Sequence, residues 1–301
     1  MDFTCSLCPR KCRAVRTDSA GEGLCRMPAL PRLARAALHF GEEPCLSGTR
    51  GSGAVFFSGC ALHCRFCQNY GISQDDFGEI VSAERLAEIM AELVEQGAHN
   101  INFVNPTAFV PAILEAVKRY RPPVPLIYNS SGYERPETLR ALEGVIDIYL
   151  PDLKYSSNSL AGELSGAFDY TTYALPAIRE MIRQTGPMVL DDDGIARRGT
   201  IVRHLVIPGH TADSMEVLRW IQDNLPKDTY VSVLMQYTPI GSLPPPLNRP
   251  LTRREYRKIR DYVEEIGLEN GYIQQYGSDG TEKIPAFDLT GVHKTVKQNV
   301  H

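Results

Sequence analysis

Residues 54–67 of the chain read AVFFSGCALHCRFC. The first four residues are apolar, and their types predict a short buried strand. Three cysteines follow with the spacing CxxxCxxC, at Cys60, Cys64 and Cys67. Thiolates suit iron–sulfur clusters, and three of them can hold three irons of a four-iron cluster. The fourth iron then keeps an open position, so the spacing predicts chemistry as well as electron storage.

A zinc site is the competing interpretation of these three cysteines. A structural zinc ion takes four closed ligands, and the triad supplies three. His63 is a fourth candidate, but it lies inside the wrap directly before Cys64, which favours a spacer role. Phe66, between two of the cysteines, offers a shield for a cluster and a flat apolar surface for an aromatic ligand such as adenine.

Strand-like and helix-like segments alternate from residue 54 onward. The predicted strands are 54–58, Asn100–Val104, Pro125–Asn129, Val145–Leu150, Ile201–Ile207, Tyr230–Gln236 and Tyr272–Gln275. The predicted helices are Ser82–Gly97, Thr107–Tyr120, Pro136–Leu142, Tyr170–Thr185, Ala212–Asn224 and Thr252–Ile266. Repeated strand–helix units predict parallel strands joined by right-handed crossovers. We therefore expect an α/β fold, a partial (β/α)6-type TIM barrel in preference to an open sheet, with ligands at the carboxyl ends of the strands.

The distribution of cysteines indicates the domain organisation. All 8 cysteines lie within the first 67 residues of the 301-residue chain. Disulfides usually staple small secreted folds, whereas this clustering in a large chain indicates metal or redox ligation. We predict a Cys-rich N-terminal metal-binding extension at residues 1–53, the barrel at 54–292 and a C-terminal tail at 293–301.

The N-terminal extension contains a second cysteine group. Cys5, Cys8 and Cys12 form the spacing CxxCxxxC, and Cys25 follows as a fourth candidate ligand. Four such cysteines are typical of a closed zinc site or of an auxiliary iron–sulfur cluster. Free thiols or redox pairs are the remaining alternative. Cys45 stands alone and is predicted to be a small buried apolar residue.

Composition excludes several classes of partner. The chain is 43% hydrophobic and 23% charged, which is ordinary for a globular protein. Its net charge is −4, and no basic stripe indicates nucleic acid. The N-terminus lacks signal-peptide character, and no apolar run approaches the roughly 18 residues that a membrane span requires. We expect a monomeric, cytoplasmic protein without membrane contact.

Cys60, Cys64, Phe66 and Cys67 resemble the signature of the radical S-adenosylmethionine (SAM) enzymes. The longer string GCALHCRFCQN at 59–69 resembles the glycyl-radical activating branch, similar to the pyruvate formate-lyase activating enzyme. This resemblance, over residues 54–275, implies a 4Fe-4S cluster whose open iron binds SAM. It implies one-electron cleavage of SAM to methionine and a 5′-deoxyadenosyl radical, which takes a hydrogen atom from a substrate. No general acid or base is implied, because the cofactors carry the hard step.

The resemblance also implies residues that contact SAM at successive strand ends. Asn69 closes the triad string. The family's glycine-glycine-glutamate turn after the second strand is absent, and Asn105 and Thr107 are the candidates to replace it. Asn129 and Ser130 form the polar turn after the third strand. Asn129 stands where the activating enzyme has an acidic residue that helps to bind a monovalent cation.

Asp152 and Lys154 match the Asp-Leu-Lys string of the family after the fourth strand. Two-residue spacing on an extended segment places both side chains on one side. The ammonium can bind a carboxylate, and the aspartate can order a ribose, a cation or the lysine. A surface ion pair is the alternative. Arg203 and Ile207 resemble the next strand end, where a side chain and the backbone meet SAM.

The leading functional hypothesis is a radical SAM enzyme that activates a protein partner by hydrogen abstraction. The resemblance implies a low-potential electron donor, flavodoxin or ferredoxin. One alternative is a radical SAM enzyme that modifies a small molecule or peptide. Another is a cluster-bearing electron carrier or metal-binding module without SAM chemistry.

Overall fold

A long, mostly parallel sheet forms the centre of the computed structural model, which describes residues 3–278, 280 and 284–294. The strands are β1 (Phe3–Thr4), β2 (Val15–Arg16), β3 (Arg32–His39), β4 (Ser52–Phe57), β5 (Glu79–Ile80), β6 (Ile101–Val104), β7 (Leu126–Ser130), β8 (Ile148–Pro151), β9 (Val189–Leu190), β10 (Ala196–Leu205), β11 (Tyr230–Leu234) and β12 (Gly271–Ile273). The helices are α1 (Pro44–Ser47), α2 (Tyr70–Ser73), α3 (Ala83–Glu95), α4 (Val110–Arg119), α5 (Pro136–Arg140), α6 (Asn158–Ser165), α7 (Tyr170–Thr185), α8 (Thr211–Asn224) and α9 (Arg253–Glu265). A 3₁₀ turn at Thr107–Phe109 precedes α4.

The order of strands in the main sheet is β12-β11-β10-β8-β7-β6-β4-β3-β5. Along this order every ladder between β12 and β4 is parallel, whereas β3 pairs antiparallel with β4 and with β5. Strand β9 lies off this path and pairs antiparallel with β10. The predicted α/β fold with parallel strands is therefore confirmed. Within the described residues β12 and β5 are the free edges of this sheet, so these ladders do not close a barrel.

The N-terminal part of the chain contains the main difference from the sequence expectations. Residues 32–39 form β3, a strand that the sequence analysis did not predict, and it pairs along the whole of β4. Its sequence RLARAALH carries no clear alternation, so the pairing with β4 decides its conformation. Part of the predicted extension 1–53 thus shares the main sheet, and the boundary at residue 53 stays a prediction. The predicted tail 293–301 lies largely outside the described residues.

The connection between β3 and β4 enters the interior of the fold. Its short helix α1 carries Cys45 and Leu46 into an apolar cluster with Ile127, Ile148 and Ile201. Cys45 is buried there, as the sequence predicts. Glu42, just before α1, follows the same path and so reaches a cavity that the strands surround.

The sequence explains where the longer helices begin. The Ser82 side chain accepts a hydrogen bond from the Arg85 backbone at the start of α3. Thr252 and Glu255 form a reciprocal capping box at the start of α9. None of the described helices combines the length and the apolar character that crossing a membrane would need.

Candidate active site

One cavity at the carboxyl ends of the parallel strands collects most of the predicted site residues. They come from the loops or last residues after β4, β6, β7, β8 and from β10. The predicted residues on its wall are Cys60, Cys64, Phe66, Cys67, Asn69, Asn105, Asn129, Ser130, Asp152, Lys154 and Arg203. Chain segments far apart in sequence therefore meet where parallel sheets place their ligands.

The cysteine triad forms the loop between β4 and α2, and each sulfur has a polar neighbour. The Ser165 hydroxyl donates to Cys64 Sγ at 2.9 Å. Cys67 Sγ lies 3.3 Å from Ser73 Oγ, and the Leu62 backbone N–H donates to Cys60 Sγ at 3.4 Å. Hydrogen bonds to sulfur tune iron–sulfur ligands, so these neighbours suit thiolates.

The raised pKa values of two triad thiols are also consistent with cysteines that bind iron. Burial raises the pKa of the Cys60 thiol above its usual range and raises the pKa of Cys64 to about 11. Thiolates at these positions need a compensating cation, which bound iron provides. Within the described part of the chain, no three His, Cys, Asp or Glu side chains converge on a single metal ion. A four-iron cluster binds its cysteines at separate irons, and the three thiols on one cavity wall fit that group.

Arg203 is the centre of a largely buried charged network in the same cavity, whose charged side chains are 11–17% exposed. It donates to Asp152 Oδ1 at 3.1 Å, to Glu42 Oε2 at 3.2 Å and to Asn129 Oδ1 at 2.5 Å. Lys154 Nζ donates to the other Asp152 oxygen at 2.5 Å. The Asp152 and Lys154 side chains are each only 17% exposed, so they are not the surface ion pair that was the alternative.

The ionisation of the network follows from its pairing. Burial alone would raise the pKa of Asp152, but the charges of Lys154 and Arg203 outweigh it and lower this pKa. Likewise, burial opposes ionisation of Lys154, but the Asp152 carboxylate raises the pKa of the amine. Both groups are therefore charged at neutral pH, and two cations face the carboxylates of Asp152 and Glu42.

Sequence reasoning missed Glu42, which has no motif around it. Its Oε1 accepts from Asn102 Nδ2 at 2.8 Å, and its Oε2 accepts from Arg203. The next residue, Glu43, is buried, and its carboxylate oxygens have no hydrogen-bond partner among the described residues. Burial raises the pKa of Glu43. From the sequence alone, two adjacent glutamates in a loop are expected to face solvent. The path of the chain between β3 and β4 instead carries Glu42 and Glu43 into the interior.

Several predicted residues shape the triad side of the cavity. Asn105 adopts a left-handed φ of 60° and its amide donates to the Gly59 carbonyl, which precedes the triad. Asn69 Oδ1 is buried without a hydrogen-bond partner in the part of the chain that the structure describes. This free acceptor lies on the cavity wall and suits a ligand donor. The Phe66 ring lies 5.9 Å from the ring of Tyr237, which the sequence analysis did not single out.

Two predicted residues and one alternative ligand lie off the cavity wall. Thr107 is buried and donates to Glu134 Oε1 at 2.5 Å, and Ile207 packs in a core cluster. Their contacts with SAM stay predictions. His63 lines a separate surface depression with Arg26 and other residues.

Gly132 allows two strand ends to approach each other beside the site. Its φ is 73°, and a Cβ here would overlap the carbonyl oxygen of Asp152. We expect Gly132→Ala to lower the free energy of unfolding by more than about 2 kcal/mol, through backbone strain and this overlap together. Urea denaturation measures the change. Gly144→Ala is the matched control, because Gly144 has a φ of 78° and a Cβ added there would meet nothing within 4 Å. Equal losses in both variants would contradict the account.

Glu134 gives the fold a distinct pH dependence. Burial raises its pKa to about 7, against about 4.3 in an unfolded chain. Between these values only the unfolded chain ionises the group, so Glu134 lowers stability progressively as pH rises to about 7 and no further above it. We expect Glu134→Gln to gain stability relative to the wild type over this window, by up to roughly 1.4 kcal/mol per pH unit. Urea denaturation at pH 5, 6, 7 and 8 measures this, and a pH-independent difference would refute it.

The arrangement of triad, cavity and strand ends agrees with a known family. The model of the radical SAM superfamily matches residues 54–233, and the chain belongs to this superfamily. Membership implies a 4Fe-4S cluster and SAM as cofactors. Among individual proteins, the uncharacterized protein MJ0674 of Methanocaldococcus jannaschii is 29% identical over 276 residues, which cover 88% of this chain and 75% of that protein.

Two solved structures are similar to this chain at low sequence identity. HydG, a maturase of the FeFe-hydrogenase, matches with a TM-score of 0.50 and 14% identity, over 73% of this chain and 50% of HydG. Streptococcus suis SuiB bound to S-adenosylmethionine matches with a TM-score of 0.48 and 14% identity, over 73% of this chain and 46% of SuiB. The matched segment thus spans about half the length of these structures.

Proposed function

We propose that this protein cleaves SAM reductively and uses the resulting radical to take a hydrogen atom from a protein substrate, as glycyl-radical activating enzymes do. The observation that carries the proposal is the shared cavity. The triad of Cys60, Cys64 and Cys67 lines it together with the buried network of Asp152, Lys154 and Arg203. In this proposal the triad forms the cluster site, and the charged network beside it binds the zwitterionic end of SAM.

Each group of residues has a defined task in this proposal. The triad would hold three irons of the cluster, and the remaining iron would be free to bind SAM. When bound, the cluster and SAM supply the one-electron cleavage to methionine and a 5′-deoxyadenosyl radical. The Lys154 ammonium would attract the carboxylate of SAM, the Asn69 side-chain oxygen would accept a hydrogen bond from the ammonium group of SAM, and Phe66 with Tyr237 would offer an apolar surface to adenine.

The charges of the cavity favour a protein substrate over a small charged molecule. Among the described residues, the charged side chains on the wall are Glu42, Asp152, Lys154 and Arg203, and all of them pair within one network. Once Lys154 is assigned to the carboxylate of SAM, the described residues of this wall offer no charge outside the network to anchor a small ionic substrate beside SAM. A protein loop needs no such anchor, because its parent protein binds outside the cavity. The Asp-Leu-Lys string and the triad string also resemble the activating branch.

Deuterium transfer tests the substrate class. The reduced enzyme and SAM are mixed anaerobically with a candidate glycyl-radical enzyme of the same organism, labelled with deuterium on the glycine α-carbon. We expect one deuterium in 5′-deoxyadenosine and a glycine-centred radical in the electron paramagnetic resonance (EPR) spectrum. Unlabelled 5′-deoxyadenosine with every candidate partner, together with turnover of a small molecule or peptide, would favour the alternative substrate class.

We also propose that Cys5, Cys8, Cys12 and Cys25 bind a second metal, either zinc or an auxiliary iron–sulfur cluster. Because no three of these described thiols converge on a single metal ion, zinc would require them to move closer together. Burial raises the pKa of Cys5, and the neighbouring thiols of Cys25 and Cys12 raise it further, so these groups share one electrostatic environment. We expect about four irons with one zinc, or about eight irons, per anaerobically reconstituted chain. Iron, sulfide and zinc analysis measures this, and about four irons without zinc would contradict a second metal.

In the proposed reaction a flavodoxin or ferredoxin supplies the electron that cleaves SAM.

A further inference from the structure

The N-terminal cysteine segment, residues 3–27, touches the triad loop directly, and we call it the cysteine leader. Arg10 lies between Cys8 and Cys12 in sequence. Its Nε donates to the carbonyl oxygen of Ala61 at 2.8 Å, and its Nη1 donates to that of Gly166 at 2.7 Å. Ala61 directly follows Cys60, and Gly166 directly follows Ser165, the hydrogen-bond donor of Cys64. Arg10 therefore ties the triad loop to the end of α6 that carries Ser165.

A second contact joins the leader to the turn before the triad. Gly59 has a φ of 75°, and a Cβ there would overlap the Met27 side chain and lie 2.9 Å from the Cys25 carbonyl oxygen. Met27 is fully buried. The backbone beside Cys60 thus packs on the chain beside Cys25, and movement of one displaces the other.

A third contact places a buried cation beside Cys25. Arg16 is 2% exposed and donates to Cys25 Sγ at 3.1 Å and to the Ala108 carbonyl oxygen at 2.6 Å. Within the described residues it pairs with no carboxylate. If Cys25 binds a metal, its sulfur would accept this hydrogen bond from Arg16, as outer groups commonly donate to metal-bound ligands.

The leader has little secondary structure of its own to hold these contacts. Its strands β1 and β2 have two residues each, and Cys12 is exposed. A short hairpin of this kind is marginal in water, and small units of this size commonly need a metal or disulfide. A metal that joins the four leader cysteines would fix Arg10 between its neighbours Cys8 and Cys12.

We propose that the metal centre of the cysteine leader holds the triad loop in the shape that binds SAM, with Arg10 as the positioning residue between the two. The inference rests on the proposed cluster at the triad. It assigns the leader a role in preparing the first metal site, and the contacts of Arg10, Arg16 and Met27 provide the connection.

The test compares Arg10→Ala with Arg13→Ala in the full-length, anaerobically reconstituted protein. Arg13 is exposed in the same loop, and the structure shows no hydrogen bond or ion pair from its side chain to a described residue. We expect Arg10→Ala to keep about four triad irons and to change the EPR signal of the reduced cluster. We also expect it to weaken SAM binding about tenfold, a loss of affinity comparable to the free energy of about one to two hydrogen bonds. Arg13→Ala should match the wild type. An EPR signal and a SAM affinity unchanged in Arg10→Ala would overturn the inference.

Cys12→Ser tests the leader metal while Arg10 stays in place. It also replaces the first test if the Arg10→Ala protein does not accumulate. We expect it to lose the leader metal, measured as one zinc or about four irons, and to show the same altered EPR signal and weaker SAM binding as Arg10→Ala. Loss of the leader metal with unchanged signal and affinity would overturn the inference alone. A wild type that assembles no triad cluster would instead overturn the proposed function.

Discussion

Cys64→Ala is expected to leave the triad without its cluster and to reduce SAM cleavage to background. Cys64 is buried, and its sulfur accepts a hydrogen bond from Ser165 and lies among apolar side chains. Two remaining cysteines cannot hold three irons, and the serine and the apolar wall provide no replacement thiolate. Iron analysis after anaerobic reconstitution measures the loss, which should be about four irons per chain. Chromatography of 5′-deoxyadenosine measures the activity.

Cys45→Ala is the matched control for this experiment. Cys45 is also buried, but it packs in the apolar cluster at α1, away from the triad cavity. Its replacement removes one sulfur from the core, so we expect a modest loss of stability with iron content and SAM cleavage retained. A Cys64→Ala protein that keeps its iron and its activity would contradict the assignment of the cluster. So would equal losses of iron in both variants.

Arg203→Met is expected to lower the free energy of unfolding by about 3–5 kcal/mol and to abolish measurable SAM binding. Methionine fills similar space but leaves the carboxylates of Glu42 and Asp152 without the guanidinium that both contact. One partner of a buried ion pair is costly to remove, because the other charge stays behind uncompensated. Urea denaturation measures stability, and isothermal titration of the cluster-loaded protein measures SAM binding.

Arg197→Met provides the comparison within the same strand. Arg197 pairs with Asp191, but its side chain is 43% exposed. Exposed ion pairs contribute little, so we expect a loss of at most about 1 kcal/mol and unchanged SAM binding. If Arg203→Met were as mild as Arg197→Met, the buried network could not be the organising element of the cavity.

The parallel sheet and the triad could be predicted because their signals are local. The apolar strand before the triad, the spacing of Cys60, Cys64 and Cys67, and the alternation of strands and helices all lie in short windows of sequence. The α/β fold followed from this alternation. Because parallel strands end at one edge, the convergence of Asp152 and Arg203 on the triad could also be expected.

The remaining features depend on contacts between distant segments. Glu42 reaches Arg203 across 161 positions in sequence, and no spacing rule connects them. Strand β3 owes its conformation to pairing with β4. The sequence gives no sign that Glu134 is unusual, because its pKa is raised by burial beside Thr107 in the folded chain. The contact of Arg10 with Ala61 likewise appears only in the folded chain. Long-range packing and burial decide such features, and single-sequence patterns do not encode them.

The most direct test of the central claim is SAM cleavage by the wild-type protein. The full chain is reconstituted anaerobically with iron and sulfide, reduced with dithionite and incubated with SAM. We expect 5′-deoxyadenosine and methionine in equal amounts, formed only when the triad carries its cluster. A protein that is loaded with its irons and reduced, yet forms no 5′-deoxyadenosine, would contradict it.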